Sequence, residues 1–186
     1  MFLLLAVQCS EPVFTPKPRA YPRIEYPERA YQAFDTSFCA FTFQYPKYAT
    51  IIKSTNPNAA NGECWFDIFI PNFDCRLHCT YYPIANNSDF EQLRSDAFNL
   101  VDNHNIRADY INESRIQKDN QVSGFLFDIE GPAASPFQFY LTDSTKHFLR
   151  ASLYFNTQAK HDSLAPIYEF VKTDFLHLIS TFAWKQ

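Results

Sequence analysis

The alternation of apolar and polar residues along the chain predicts mainly β-strands. Phe41, Phe43 and Tyr45 alternate with polar residues, a period of two that is typical of a strand with one buried face. Cys64–Ile70 is apolar on both faces apart from Asp67, which indicates a central strand. We predict strands at residues 41–45, 49–54, 64–70, 76–82, 108–117, 122–130, 137–143 and 147–156.

Two segments change to the helical period. Apolar residues within 89–104 recur at spacings of three and four, and Ser88 with Glu91 has the spacing of a capping box at the start of this helix. Residues 163–182 also share one apolar face, with Ser163 as the predicted N-cap. Each amphipathic helix needs a surface on which to bury its apolar face.

This order of elements predicts the fold class. Strands joined by hairpins favour an antiparallel arrangement, and the two helices would cover the sheet. We therefore predict an α+β domain with a mostly antiparallel β-sheet flanked by two amphipathic helices. The arrangement resembles the Mog1/PsbP-type sandwich, and a likeness of fold implies no function.

The N-terminal part is rich in proline and has no strand or helix pattern. Its prolines are Pro12, Pro16, Pro18, Pro22 and Pro27. Because proline fixes φ and removes a backbone donor, we predict an extended tether at residues 10–34, followed by a single globular domain at 35–186. A ligand for the groove of a partner protein is the alternative reading of the tether.

Residues 1–9 form an apolar run that ends at Cys9 and is too short to span a bilayer. We interpret the run as the remnant of a signal peptide and Cys9 as the lipidated residue of a lipoprotein. An ordinary apolar N-terminus with an incidental cysteine is the alternative.

The other cysteines fit an exported protein with one disulfide. Cys75 and Cys79 lie on one predicted strand, where about 3.3 Å per residue places them roughly 13 Å apart. A disulfide requires Cα atoms within about 7 Å, so these two should not bridge each other. Cys39 and Cys64 open two different strands and are the favoured pair.

Composition excludes several classes of function. The chain has only 3 glycines, whereas loops that cradle phosphate groups need several close together. Its net charge of −4 gives no basic footprint for nucleic acid. We expect no nucleic-acid partner and no cofactor.

Cys75, His78 and Cys79 are close enough in sequence to suggest a metal site. A second pair of ligands at zinc-site spacing is missing, and on a strand His78 points away from the face that the two cysteines share. We therefore predict buried thiols beside a solvated histidine, and no metal site.

Asp143, Ser144 and His147 could suggest a hydrolase. A nucleophilic serine needs a base within reach, an orienting acid and an oxyanion hole, and the motif of a nucleophile elbow is absent. The alternative is turn chemistry, in which the side chains of Asp143 and Ser144 bond neighbouring amides. We predict no catalytic residues.

Polar side chains concentrate where the strands 137–143 and 147–156 meet. Loops on a rigid scaffold often carry function, and arginine among aromatic residues is typical of interface hot spots. We predict a protein-binding surface formed by Gln138, Asp143, Ser144, His147 and Arg150. The alternatives are that Asp143 and Ser144 only hold the turn and that Arg150 packs on the domain's own aromatic residues.

Short motifs over residues 14–185 together resemble the gliding motility lipoprotein GldD family of Bacteroidetes. The motifs are Thr15–Arg19, Phe43–Pro46, Cys64–Trp65, Leu77–His78 with Tyr81, Phe127–Gly131, Gln138–Ser144, His147–Arg150, Leu153–Phe155, Asp162–Leu164 and Thr181–Trp184. Each is weak alone, and their order over nearly the whole chain makes the resemblance specific. The chain departs from the family pattern at Gln8 and in the thiols of Cys75 and Cys79.

The resemblance implies an exported lipoprotein required for gliding motility and for the associated type IX secretion machinery. It implies no enzymatic activity. We expect a protein of the cell envelope that is lipid-anchored, faces the periplasm and binds other envelope proteins of gliding and secretion, with the choice of inner or outer membrane left open. The alternatives are a small-ligand-binding module and a hydrolase built on Asp143, Ser144 and His147.

Overall fold

The computed structural model describes residues 23–54, 64–157 and 161–185. The strands within them are β1 (Tyr31–Asp35), β2 (Phe41–Pro46), β3 (Thr50–Lys53), β4 (Phe66–Ile70), β5 (Cys75–Pro83), β6 (Tyr110–Lys118), β7 (Val122–Glu130), β8 (Phe137–Thr142), β9 (His147–Phe155) and β10 (Ala183–Trp184). The helices are α1 (Asn87–Asp102) and α2 (His161–Thr181). In the described ranges, neither helix combines the length and the apolar character that a membrane span requires.

The strands form two antiparallel sheets. The larger has seven strands in the order β3-β4-β5-β9-β8-β7-β6, and the smaller has three in the order β1-β2-β10. Each hydrogen-bonded pair runs antiparallel. This confirms the predicted α+β class with a mostly antiparallel sheet and two helices.

The large sheet separates two hydrophobic cores of unequal size. On one face it packs against α2 and the small sheet, and this larger core contains the fully buried side chains Phe41, Phe66, Ile68, Leu77, Phe137, Phe139, Phe175 and Phe182. On the other face α1 packs over a smaller core with Val101, Phe127, Ile129, Tyr140 and Phe148. Because burying each large apolar side chain contributes about 1.5–3 kcal/mol, most of the hydrophobic stabilisation lies on the α2 side.

The folded part begins earlier than predicted. β1 (Tyr31–Asp35) lies mostly inside the predicted tether 10–34 and pairs with β2. The ring of Tyr26 lies 4.7 Å from that of Phe170 on α2, so the chain already packs on the domain before β1 begins. Non-local contacts override the local effect of the prolines here. The predicted signal remnant and Cys9 lie outside the described residues.

The two helix starts also differ from the prediction. The N-cap of α1 is Asn86, whose side chain accepts a hydrogen bond from the Asp89 backbone N–H, so Ser88 lies inside the helix instead of capping it. α2 is already helical at His161, so Ser163 also lies within the helix. Asparagine and serine are both favoured N-caps, and the local sequence does not decide between Asn86 and Ser88.

The cysteines are arranged as the strand geometry predicts. A disulfide joins Cys39 to Cys64, with a Cα–Cα distance of 5.2 Å. Cys75 and Cys79 are free and buried. Burial, with a smaller contribution from Asp74, raises the pKa of Cys75 to about 12, and burial also raises the pKa of Cys79. Both thiols therefore stay protonated and unreactive at neutral pH.

Candidate functional site

The structure divides the five residues of the predicted protein-binding surface. Gln138 is 1% exposed, so it cannot contact a partner as a surface residue. Its position on β8 explains the burial, because it lies opposite Ser152 on β9 and Phe127 on β7, in the middle of the sheet. Arg150 is also in mid-sheet, whereas Asp143 and Ser144 belong to the β8–β9 turn and His147 is the first residue of β9. The predicted surface is therefore not one continuous patch.

The side chain of Asp143 holds the β8–β9 turn, and Ser144 contributes its backbone N–H. Asp143 Oδ1 accepts hydrogen bonds from the backbone N–H groups of Thr145, Lys146 and His147 at 2.8–2.9 Å. Burial opposes ionisation of Asp143, but these three N–H groups and His147 outweigh it, so the pKa of Asp143 lies below its ordinary value. Ser144 has a backbone φ of 65°, and its backbone N–H donates a hydrogen bond to Thr142 Oγ1.

His147 lines an open cleft at the same end of the sheet. The cleft, of about 390 Å³, lies between the β6–β7 and β8–β9 turns and the residues that end the described chain, and its lining includes Asp143, Lys146 and Trp184. The ring of His147 stacks on that of Trp184 with centroids 5.0 Å apart, and its Nδ1 lies 2.7 Å from the Tyr81 hydroxyl. Burial, and to a smaller extent Lys146, lower the pKa of His147 despite the nearby Asp143.

Asp143, Ser144 and His147 are not arranged in the geometry of a catalytic serine site. Among the described residues, the Ser144 side chain makes no hydrogen bond to His147 and does not line the cleft. Asp143 Oδ1 is occupied by the turn amides, and Nδ1 of His147 faces Tyr81. A serine nucleophile would need its hydroxyl within reach of the base.

A second candidate lies on the large sheet, on the same side as α1. α1 covers β7, β8 and part of β9, and leaves side chains of β4, β5 and β9 exposed or half-exposed. We define the open face as these side chains: Asp67, Phe69, Arg76, His78, Thr80, Arg150 and Tyr154. The strand register assembles them, because Asp67 lies opposite His78, and Arg76 lies opposite Tyr154.

The open face is held in shape by its own contacts. His78 Nδ1 lies 2.7 Å from Asp67 Oδ1, and Arg76 is 3.6 Å from the other oxygen of the same carboxylate. The Arg76 guanidinium also stacks over Phe69, 4.3 Å from the ring centroid. Tyr154 lies beside His78 with ring centroids 5.5 Å apart and is 39% exposed. These contacts restrict the side chains in advance, which lowers the entropic cost of binding a partner.

Arg150 connects the open face to the buried side chain of Gln138. Its Nη2 donates to Gln138 Oε1 at 2.7 Å, and the Ser152 hydroxyl donates to the same oxygen at 3.3 Å. This contradicts the simple picture of Arg150 as a free surface hot spot, because part of its guanidinium supports the buried amide of Gln138.

No metal site is built by the described residues, which hold no group of three or more His, Cys, Asp or Glu side chains in suitable positions. Cys75 and Cys79 point into the larger core, and His78 is on the opposite face with Asp67. Sequence reasoning missed Asp67, Phe69 and Arg76. The signal was present, because alternate residues of two hairpin-paired strands face the same side.

Comparisons with known proteins agree with this architecture. The structure is similar to the solution structure of cyanobacterial PsbP (CyanoP) from Synechocystis sp. PCC 6803, with a TM-score of 0.52 and 14% identity over 85% of this chain and 94% of that one. At this identity the likeness shows the fold alone, and it confirms the predicted PsbP-like sandwich. No match was found among curated proteins.

The family comparison covers nearly the whole chain. The sequence model described as gliding motility lipoprotein GldD matches residues 11–184. That range contains both cores, the cleft and the open face. A lipoprotein of this family is anchored to a membrane of the cell envelope. With this match over most of its length, the chain belongs to the gliding motility lipoprotein GldD family.

Proposed function

We propose that the protein is a periplasm-facing lipoprotein, anchored through Cys9, that gliding motility and the associated type IX secretion machinery require. It acts by binding another envelope protein of that machinery and catalyses no reaction. The family match supports the gliding role. The mode of action rests on the open face.

The observation that carries this proposal is the composition and exposure of the open face. Tyrosine and arginine are enriched among the residues that dominate binding energy at protein interfaces. Here the side chain of Arg76 is 38% exposed and that of His78 is 45% exposed, and Tyr154 stands beside them. An exposed, partly aromatic sheet surface of this kind suits a protein partner, whereas a small ligand needs a concave site.

The experiment compares two exposed tyrosines on strands of the same sheet. Tyr154→Ala removes an aromatic side chain from the open face, and Tyr110→Ala is the matched control on edge strand β6, where Tyr110 is 62% exposed. Each variant replaces the native copy in gliding cells, and gliding speed, secretion of an exported reporter and the melting temperature of the purified protein are measured.

We expect Tyr154→Ala to reduce gliding and secretion while Tyr110→Ala leaves both unchanged. Both variants should melt within about 2–3 °C of the native protein, because surface substitutions change stability by only about 0.5 kcal/mol. Normal gliding of the double variant His78→Ala/Tyr154→Ala would remove the open face from the function.

The cleft beside His147 supports a second candidate function, the binding of a small polar ligand. Its specific observation is the stacked pair of His147 and Trp184 next to Lys146. A screen of small polar compounds by thermal shift, repeated on Lys146→Ala, tests it. A compound that stabilises the native protein and not the variant would favour this role.

A further inference from the structure

Within the part of the chain that the structure describes, Arg150 is a partly buried cation without a counter-ion. Among the described residues it forms no salt bridge, and its hydrogen bond goes to the neutral side chain of Gln138. Burying a charge is costly unless it is paired, so buried arginines normally meet a carboxylate. Gln138 Oε1 satisfies one N–H group of the guanidinium and neutralises none of its charge.

Gln138 adds an unsatisfied donor at the same place. Its side-chain Nε2 is buried and has no hydrogen-bond partner among residues 23–54, 64–157 and 161–185, although the residue is only 1% exposed. The orientation of the amide is fixed by its oxygen, which accepts from both Arg150 and Ser152. Rotating the amide by 180° would place its Nε2 next to the guanidinium, where two hydrogen-bond donors would face each other without an acceptor. The unsatisfied N–H groups therefore belong to the native arrangement.

The surroundings are also rich in donors. His104, in the segment after α1, is close enough to Arg150 that the guanidinium contributes, after burial, to lowering the pKa of this histidine. The phenol groups of Tyr82 and Tyr154 lie near Arg150 as well. These neighbours are an imidazole and two phenols and include no carboxylate, so the site presents positive charge and N–H groups with no acidic partner from the described part of the chain.

We propose that Arg150, positioned by the buried Gln138, binds the carboxylate of an acidic side chain on the partner protein. This inference rests on the proposed function and names the chemistry that the open face recognises. The guanidinium N–H groups that Gln138 does not engage match the two oxygens of a carboxylate. A phosphate has more oxygens and more charge, and this site has a single guanidinium for it. The position at the border of the open face, continuous with Tyr154 and His78, suits an acidic segment of a docked protein.

The test is a titration of the full-length protein with acetylated hexaglutamate. Binding is followed by NMR through the Nε–H cross-peak of the Arg150 side chain, which is assigned from its absence in Arg150→Gln. Acetylated hexaglutamine and inorganic phosphate are titrated in parallel. Arg76→Gln is the matched control variant, because Arg76 is an arginine of the same face that already has a carboxylate partner in Asp67.

We expect a saturable shift of the Arg150 cross-peak with hexaglutamate and none with hexaglutamine. Arg150→Gln should weaken hexaglutamate binding about tenfold or more, the size of one lost charge-assisted hydrogen bond. Arg76→Gln should weaken it by no more than about twofold. If Arg150→Gln fails to fold, the cross-peak is assigned in the wild-type protein by through-bond correlation to the Arg150 backbone, and the wild-type titration then decides the question.

Three results would overturn the inference: no saturable shift of the Arg150 cross-peak, equal weakening of hexaglutamate binding by the two variants, or tighter binding of phosphate than of hexaglutamate. The third result would assign the site to a free phosphate or a lipid headgroup. These failures are separable from failure of the proposed function. Loss of gliding in Tyr154→Ala without carboxylate binding at Arg150 refutes only the inference. Normal gliding of the double variant refutes the proposed function whatever hexaglutamate does.

Discussion

Asp174 holds α2 against the N-terminal segment, and replacing it by alanine tests how the start of the domain is secured. Its carboxylate is fully buried and accepts hydrogen bonds from the hydroxyls of Tyr31, at 2.8 Å, and of Tyr48. Arg29 Nε lies 3.3 Å from the same carboxylate. With alanine at this position, both phenols lose their acceptor at a site that the folded chain closes to water.

The magnitude follows from these contacts. A hydrogen bond to a charged group contributes about 1.5–3 kcal/mol, and Asp174 accepts two from tyrosines. The side chain of Arg29 is 39% exposed, so its ion pair adds little. We expect Asp174→Ala to lower the free energy of unfolding by about 3–5 kcal/mol. At about 2–4 °C per kcal/mol, the melting temperature should fall by roughly 10 °C.

Urea unfolding of the purified protein measures this loss, with Glu169→Ala as the matched control. Glu169 is an exposed carboxylate on the same helix, 4.0 Å from Lys172, and its removal should cost under about 0.5 kcal/mol. Tyr48→Phe should lose about 1–2 kcal/mol in the native background and much less in Asp174→Ala, because its acceptor is then already gone. A loss below about 1 kcal/mol for Asp174→Ala would refute the reasoning.

The same network gives a pH dependence. Burial, and then the hydrogen bond to Asp174, raise the pKa of Tyr31 from 10.0 to about 12, and the pKa of Tyr48 is raised for the same reasons. The folded state therefore keeps these protons when the unfolded chain begins to lose them. This stabilisation is complete below pH 10 and is lost as the pH rises through about 12. Asp174→Ala should flatten the decline over that interval, and an unchanged slope would contradict the assignment.

Two further predictions concern the packing of the sheets. Gly124→Ala would place a Cβ atom 1.9 Å from the carbonyl oxygen of Tyr140, so β7 must shift away from β8. We expect urea unfolding to show a free energy of unfolding lowered by at least about 2 kcal/mol, with little change for the control Ser123→Ala. The double variant Cys39→Ser/Cys64→Ser opens a loop of 25 residues and should lose about 3 kcal/mol, and peptide mapping without reductant should recover these two cysteines linked in the native protein.

The strands with strong alternation were predictable from local sequence, and the short strands of the small sheet were not. β10 is only Ala183–Trp184, and its partner β2 begins at Phe41. A strand of two residues is too short to show alternation, so the pairing of β10 with β2 depends on the position at which α2 ends. β1 has the same dependence, because its place is fixed by contacts such as that of Tyr31 with Asp174 on α2.

The sequence predicted the site only as far as alternation shows which side of the sheet each residue faces. Gln138 and Arg150 are indeed neighbours, and alternation alone places them on the same side of the sheet as Tyr140. What alternation does not reveal is which part of that side α1 covers. Gln138 is buried, whereas Tyr154 on the same side of the sheet is exposed. The boundary between core and surface is therefore a tertiary property that the strands do not encode.

The two sides of the large sheet perform different tasks. The chain enters the domain on the α2 side, where Tyr26 and Arg29 pack against Phe170 and β1 joins the small sheet. The open face is on the other side, beyond the thickness of the sheet. The first described residues of the chain therefore pack on the side of the sheet opposite the open face. Since Asp174 binds Arg29 and Tyr31 there, Asp174→Ala should loosen the packing of this N-terminal segment on α2 while leaving Arg150 and Tyr154 in place.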